Sequence, residues 1–247
     1  MTFKIIDVSG SLIIGTPSCP IQSALVFTVP GGDATFGINA LPGSKVDIHG
    51  TFIGRTWTRL ASTAAAGAKA LLLKEPVQWA AGDKLFVATT LWKDELLNQN
   101  EVMTVASVTP DGLTVNTVEA LQFNHYGGEY QAEVGLLTRR ILFTSDAASS
   151  TTALGPHTTF WTPDARVSGA GYERWGARNI AGRYSVHFHL AGEAPNAYIK
   201  NNAFYNSNCL QGRCGGAGGP AGGASLTSAG GSLVDGRFEV RFICPAF

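Results

Sequence analysis

The chain has 247 residues, of which 45% are apolar and only 15% are charged, and its formal net charge at pH 7 is zero. Disordered chains are highly charged and poor in apolar residues, so this composition excludes disorder of the whole chain. Zero net charge argues against nucleic acid as a partner, because binding it relies on a basic field. No stretch approaches 18 consecutive apolar residues, so we expect no membrane insertion by this segment. The opening residues do not have the pattern of a signal peptide.

Short apolar runs separated by turn-forming residues occupy most of the chain up to residue 208. Their length and β-branched content predict strands, and turn chemistry such as PGGDA and TPDG separates them. In chain order the runs are SLIIG, SALVFTV, KVDIHGTFI, ALLL, KLFVATT, EVMTVASV, LTVNTV, EVGLLTRRILF, ARVSGA and RYSVHFHL. The pattern predicts an all-β chain. We predict loop plus strand for LASTAAAGAKALL, since Gly67 interrupts it, and one or two helical turns for WKDELLNQN.

The segment NAYIKNNAFYNS places asparagines around short apolar triplets. Asparagine tolerates left-handed backbone and bonds neighbouring backbone groups, which suits the corners of a parallel β-helix. An asparagine-rich loop is the alternative, and a β-sandwich stays open beside a solenoid with degenerate coils. Beyond Cys209 the composition changes, and residues 212–231 hold nine glycines in twenty positions. This composition is typical of a flexible linker and predicts a disordered tail.

The densest polar constellation is the run RYSVHFH at residues 183–189. Strand alternation would place Arg183, His187 and His189 on one face, with Ser185, while Tyr184 and Phe188 face the core. Two histidines at this spacing can do acid–base chemistry near neutral pH, so His187 and His189 are the candidate catalytic residues. The alternative is a pair of histidines that are hydrogen-bonded to backbone or to neighbouring coils.

A divalent metal is a possible cofactor at this strand, although no cofactor is certain and no metal site is assigned. Metal binding would need further ligands, and the sequence offers Glu193, Asp164, Glu173 or His157 only if folding brings them close. Three other polar features read as structural: Trp79 with Asp83 in a turn, Asp47 with His49 as a solvated pair, and His125 in a polar loop. The sequence contains no Ser-His-Asp motif, P-loop or dinucleotide fingerprint.

Residues 137–200 are mildly basic, with seven basic and four acidic side chains. A guanidinium matches the geometry of a carboxylate, so an acidic glycan is a possible partner of this surface. The candidate ligand-binding residues are Arg183, Arg178, Arg174 and Arg140. Solvated faces with scattered ion pairs are the alternative interpretation.

Several segments together resemble one family. The opening SGSLIIGTPSCPIQSALVFTV, the middle KVDIHGTFIGRTWTRLASTAAAGAKALLLKEPVQWAAGDKLFVATT and the strands EVMTVASV, LTVNTV and EVGLLTRRILF resemble the G-eight domain, which is named for eight glycines. The run GRYSVHFHLAG resembles the motif that opens the β-helix after that domain. The resemblance covers roughly residues 5–208 in order. It departs at Ser185, where proline is usual, and at Arg140, where asparagine follows the arginine.

The resemblance implies an extracellular or cell-surface location and a G-eight domain that leads into a right-handed parallel β-helix, a β-solenoid. We expect the G-eight domain at 1–145, the start of the β-helix at 146–208 and the disordered tail at 209–247. The family has further coils where this tail stands, so we expect an incomplete piece of a longer protein.

Three functions follow as expectations from this resemblance. The first is a module that binds an acidic glycan such as hyaluronan. The second is a piece of a hyaluronan-cleaving glycosidase, inactive as a fragment. The third is a purely structural module of a fibrocystin-like surface protein.

Overall fold

A computed structural model describes residues 1–52, 54–91 and 99–208 of this chain. Within them almost all regular structure is strand, as the sequence predicts, and the single helix, α1, is Ala147–Thr152. The strands are β1 (Ile5–Val8), β2 (Ser11–Ile14), β3 (Leu25–Val29), β4 (Gly37–Ala40), β5 (Lys45–His49), β6 (Trp57–Arg59), β7 (Ala70–Leu72), β8 (Lys84–Val87), β9 (Glu101–Val108), β10 (Thr114–Thr117), β11 (Glu133–Leu136), β12 (Ile141–Ser145), β13 (His157–Phe160), β14 (Ala165–Ser168), β15 (Ala170–Glu173), β16 (His187–Phe188), β17 (Tyr198–Lys200) and β18 (Ala203–Tyr205).

The chain divides into two compact units. The first unit contains Met1–Thr51 and the described residues from Arg139 onward, and the second contains the residues Phe52–Thr138. The second unit is therefore, in chain order, an insertion between β5 and β12. The expected domain limits at 145 and 208 stay a prediction, and the compact units divide the chain elsewhere.

Three parallel sheets of four strands each form the first unit, a parallel β-helix. Their orders are β1-β4-β13-β16, β2-β5-β14-β17 and β3-β12-β15-β18. Each turn of the chain contributes one strand to each sheet, so the described residues form four stacked coils. Coil strands begin at β1, well before residue 146.

Aromatic rings stack through all four coils in the third sheet. Parallel register aligns Phe27, Phe143, Tyr172 and Phe204. The ring centroids of successive members lie 5.0, 5.1 and 4.9 Å apart, close to the usual spacing of neighbouring strands. Repetition of one ring position per coil thus fills the core of the unit and holds the coils in register.

Asparagine occupies the corner between β17 and β18, as the segment NAYIKNNAFYNS predicts. Asn201 has a φ of 56°. The buried side chain of Asn202 accepts a hydrogen bond from the backbone N–H of Ala170 at 2.8 Å and donates to the carbonyl of Val167 at 3.2 Å. This asparagine satisfies backbone groups of the preceding coil, so the corner prediction is confirmed.

The second unit contains a six-stranded sheet of order β6-β11-β8-β9-β10-β7, in which all pairs are antiparallel. Leu85, Val115 and Val134 belong to its buried core, with Trp79. Trp79 donates from Nε1 to the carbonyl of Arg55 at 2.8 Å, which confirms its structural role.

Local sequence patterns predicted several elements correctly and missed others. Loop plus strand is confirmed for LASTAAAGAKALL, where β7 follows Gly67. The run EVGLLTRRILF forms two strands, β11 and β12, because the chain passes from the second unit back to the first near Arg139. The helical turn predicted at WKDELLNQN and the disordered tail at 209–247 lie outside the described residues, apart from residues 99 and 100.

No helix among the described residues is long and apolar enough to cross a bilayer.

Candidate functional site

The outer face of the sheet β1-β4-β13-β16 carries the polar residues that the sequence singles out. Parallel register places one residue from each coil in a single row across the strands. The row is Asp7, Asn39, Thr159 and His187. The next residue of each strand points into the core, and these residues are Val8, Ala40, Phe160 and Phe188. Strand alternation therefore presents the row outward, with the histidine of β16 at its last coil.

A chain of close polar contacts runs along this face. Nδ2 of Asn39 donates to Oδ1 of Asp7 at 2.9 Å, and Oδ1 of Asn39 lies 3.0 Å from Nε2 of His157. Nη1 of Arg183 lies 2.9 Å from the same Nε2. A guanidinium can only donate, so Nε2 must be unprotonated to accept from Arg183. Nε2 would have to carry a proton to donate to Oδ1 of Asn39. It therefore forms a hydrogen bond with only one of these two neighbours at a time.

His157 is neutral at physiological pH. Burial, followed by the positive charge of Arg183, lowers the pKa of His157 from its usual value of 6.5 to about 4. The backbone of Phe36 and Ala34, which bonds the ring, partly opposes this lowering of the pKa. The hydroxyl of Thr159 is buried and has no hydrogen-bond partner among the described residues. The face thus contains a buried hydroxyl that its described protein neighbours leave unsatisfied.

Gly37 permits this arrangement of β4 and β13. Its φ is 141°, and an added Cβ would collide with the backbone carbonyl of His157. A side chain at position 37 would therefore push β13 and its histidine away from Asn39.

Four rings form a continuous row on the same face, which we call the ring row: Tyr184, His187, His189 and Trp161. Successive ring centroids lie 5.2, 5.1 and 4.2 Å apart. Tyr184 and Trp161, at the two ends, are each 38% exposed. The ring row thus offers an exposed aromatic ring at each end and polar ring atoms between them, and Arg183 directly precedes Tyr184 in the chain.

The two central histidines share one proton. Nε2 of His187 and Nδ1 of His189 are 3.0 Å apart, so one donates and the other accepts. Burial and the neighbouring His189 lower the pKa of His187. Two imidazolium rings could not make this bond, because both nitrogens would then be donors. Catalytic roles for His187 and His189 stay a prediction. Among the described residues, their rings contact each other and the rings of Tyr184 and Trp161.

The structure brings Arg183 to His157, whereas the other predicted arginines lie elsewhere. Arg174 donates to Glu173 at 2.7 Å and to the carbonyl of Ser145 at 2.6 Å, so its charge is already compensated. Arg140 is exposed and precedes β12, in a different sheet. Arg178 is half-buried in the turn after β15.

Two predicted side-chain positions in the run RYSVHFH are wrong. Tyr184 is exposed and stacks on His187 instead of entering the core. Ser185 donates to the carbonyl of Trp175 at 3.0 Å instead of joining the histidine face. The reason is that β16 comprises only His187–Phe188, so strand alternation does not extend back to residue 184. Phe188 packs against the core as predicted.

Sequence reasoning missed Asp7, Asn39 and Trp161 as members of this face. They come from three different strands or their ends, and no local motif marks them. Only the register between coils brings them to the histidines. An alignment of the coils with one another would have revealed these positions, but the coils show no fixed sequence period.

Two other polar pairs are structural. Asp47 and His49 share a face, as predicted, but they are buried rather than solvated. Arg166 binds Asp47 at 2.8 Å, and Tyr198 lies 2.7 Å from Nε2 of His49. In the second unit, His125 is fully buried and contacts Glu101 at 2.9 Å, in agreement with its predicted structural role.

Within the described ranges, no group of three or more His, Cys, Asp or Glu side chains is arranged to hold a metal ion. Of the possible further ligands, His157 is close enough to His187 to interact with it but contacts Arg183. The other three lie elsewhere: Glu173 binds Arg174, Asp164 lies 3.8 Å from Arg166, and Glu193 is exposed. A divalent metal here stays a prediction without support from these contacts.

Comparison with known proteins gives a consistent result. No protein-family profile matches the chain. A G8 domain-containing protein of Dictyostelium discoideum is 35% identical over 218 residues, which cover 84% of this chain and 19% of that protein. Human fibrocystin-L is 37% identical over 150 residues, covering 54% of this chain and 4% of that protein. The chain thus spans about a fifth or less of the length of these relatives.

Among solved structures, the tailspike Gp54 of Acinetobacter baumannii bacteriophage AP22, determined with a capsular saccharide, is 14% identical. The likeness covers 85% of this chain and 31% of that one, with a TM-score of 0.34. A TM-score this low supports no inference about function.

Proposed function

We propose that this chain, which belongs to the family of G8 domain-containing proteins, is a glycan-binding module. It holds an acidic polysaccharide, such as hyaluronan, along the outer face of the sheet β1-β4-β13-β16. The observation that carries the proposal is Arg183. Its contact in the described structure is with a neutral histidine, and no carboxylate pairs with it there. A guanidinium in this position is available to a carboxylate ligand.

The contested hydrogen bond of His157 favours ligand binding. Because Nε2 cannot satisfy both Arg183 and Asn39, turning Arg183 toward a ligand carboxylate releases Nε2 to donate to Asn39. The proton moves from Nδ1 to Nε2 and no charge is created on the buried ring. Binding therefore costs the site less than breaking a satisfied ion pair would.

The ring row supplies the second component of recognition. Saccharide rings have apolar faces and polar edges, which match exposed aromatic rings beside polar ring atoms. Its two exposed ends, Tyr184 and Trp161, contact different sides of the histidine pair. We expect a polymer that extends past the Tyr184 end to reach Arg183, the preceding residue of the chain. We also propose that the protein is located outside the cell or at its surface, where such a polymer occurs.

Retention on immobilised hyaluronan tests the proposal. At low salt we expect the chain to be retained, and we expect retention to fall steeply as salt rises, because it depends on charge. Arg183→Ala should abolish most of it, and Trp161→Ala should weaken it.

The matched control is Arg55→Ala, which removes an equal charge from an exposed ion pair with Glu75 in the second unit. Absence of retention at low salt would refute the proposal. So would an equal loss in Arg183→Ala and Arg55→Ala, since that result would indicate a response to net charge alone.

A further inference from the structure

A concave surface of the second unit lies apart from the ring row in the sequence and differs from it in chemistry. It encloses about 630 Å³ and is open to solvent. Its polar lining consists mainly of amides and hydroxyls, from Thr63, Thr90, Gln99, Gln122, Asn124 and Tyr126. We call this surface the amide groove.

A buried carboxylate fixes the loop that forms one side of the groove. Glu101 accepts hydrogen bonds from the backbone N–H groups of Gln122 at 2.7 Å and Phe123 at 3.0 Å. His125 contacts the same carboxylate at 2.9 Å, and its other ring nitrogen lies 2.8 Å from the carbonyl of Ala88. Both ring nitrogens thus face acceptors. Most backbone N–H groups of the loop are hydrogen-bonded before any ligand arrives, so less entropy remains to be lost on binding.

The aromatic ring at the rim is held in place as well. The backbone N–H of Tyr126 donates to the hydroxyl of Thr90 at 3.1 Å. Its ring lies so close to Gly128 that an added Cβ would collide with the phenol end. Tyr126 is nevertheless 42% exposed, and the 73% exposed Tyr130 lies 6.4 Å from it between ring centroids. A rigid but open aromatic platform is thus present beside the amides.

The side-chain amides of the groove keep hydrogen-bonding capacity for a ligand. Within the described ranges, the side-chain amides of Gln99 and Gln122 have no hydrogen-bond partner, while Asn124 uses its oxygen to accept from the N–H of Ala66 at 2.8 Å. None of the lining residues that the structure describes is a lysine, arginine, aspartate or glutamate. Amides both donate and accept, as hydroxyl groups do, and they carry no charge.

We propose that the amide groove is a second binding site, for a neutral hydroxylated ligand of the oligosaccharide class. The amides of Gln99 and Gln122 pair with ligand hydroxyls, and the ring of Tyr126 stacks against an apolar sugar face. The described lining of this site is uncharged, which separates it from the cationic site at Arg183. This inference does not depend on the glycan proposal for the first unit.

The test uses the whole chain and four neutral hexasaccharides, built from glucose, mannose, galactose and N-acetylglucosamine. Binding is followed by protein-observed NMR titration. We expect at least one to bind, with shifts at Gln122 and Tyr126 and an affinity that is unchanged between low and high salt. Tyr126→Ala and Gln122→Ala should each weaken binding about tenfold.

Two controls isolate the groove. Gln78→Ala removes an equally exposed glutamine of the second unit that does not line the groove, and Arg183→Ala disables the acidic-glycan face. Neither should change the affinity for the neutral ligand. If none of the four hexasaccharides binds at millimolar concentration, or if Gln78→Ala weakens binding as much as Gln122→Ala, the inference is wrong. Retention on hyaluronan would be unaffected by that failure, so the two proposals fail separately.

Discussion

Polar side chains are assembled differently in the two units. In the first unit, Asp7, Asn39 and His187 lie side by side although 180 residues separate the first from the last, because parallel coils repeat the same row. In the second unit, much of the amide groove comes from one loop, residues 122–126, which a buried carboxylate holds. A stacked fold therefore places its site by register, whereas the antiparallel unit places it by a local hydrogen-bond network. The two arrangements should fail under different substitutions.

The largest expected effect concerns the ring stack that sets the register of the coils. Phe143 is fully buried and its ring contacts Phe27 and Tyr172, so Phe143→Ala should lower the free energy of unfolding by about 3–5 kcal/mol. Phe188→Ala should cost clearly less, because Phe188 is only partly buried. Urea unfolding of the two variants measures the difference. Equal losses in the two variants would show that a ring of the stack contributes no more to stability than Phe188 does.

The corresponding test in the second unit removes its buried carboxylate. Glu101→Ala leaves two backbone N–H groups and His125 without their acceptor, so we expect a loss of about 3 kcal/mol in the free energy of unfolding. Amide hydrogen exchange at Gln122 and Phe123 should accelerate. The control Glu133→Ala breaks a long, partly exposed ion pair and should cost less than about 1 kcal/mol. Slow exchange in Glu101→Ala would contradict the proposed role of the carboxylate.

Acid should destabilise the first unit through His157. Its pKa is about 4 in the folded chain and about 6.5 when unfolded, so the unfolded state takes up the proton first as pH falls. The contribution to stability is nearly complete above about pH 7.5, has fallen by about 2 kcal/mol at pH 5 and is mostly lost by about pH 4. The lowered pKa of His187 acts in the same direction.

Urea unfolding at pH 7 and pH 5 measures this slope, and His157→Gln should flatten it. An unchanged slope in that variant would show that His157 is not the group responsible.

The smallest expected effect is at the corner of the last described coil. Asn202→Ala leaves the buried N–H of Ala170 without its acceptor, which should cost about 1–3 kcal/mol. Asn206→Gly is the control, since Asn206 is exposed and glycine adopts its positive φ readily. Thermal melting of both variants distinguishes a corner that binds the neighbouring coil from a loop that merely tolerates asparagine. Similar melting temperatures would favour the loop.

Much of the fold could be predicted from sequence, because strand and corner signals are local. The run KLFVATT and the segment NAYIKNNAFYNS contain their strands, and Asn202 makes the corner contacts expected of it. Prediction failed where an element ended early. Tyr184 was expected in the core, but β16 begins only at His187, so period-two alternation did not apply to it.

The candidate site was predictable only in part. Arg183, His187 and His189 occur in one short run, and their chemistry is visible in the residue types. His157 appeared only as one of several conditional metal ligands, and the burial that makes it neutral cannot be inferred from its neighbours in sequence. Arg174 was predicted to bind ligand, but its guanidinium is bound to Glu173 and to the carbonyl of Ser145. Charge in a sequence does not reveal which charges are already paired.

The sequence by itself determined that this protein is all-β, where most strands and turns lie, and that one short run concentrates its histidines. These are properties of local periodicity and side-chain chemistry. Only the tertiary structure decided that residues 1–51 share coils with those after 139, and that Asp7 and Asn39 line the face of His187. The reason is physical: a parallel sheet pairs strands from successive coils, and register between coils depends on how the whole core packs.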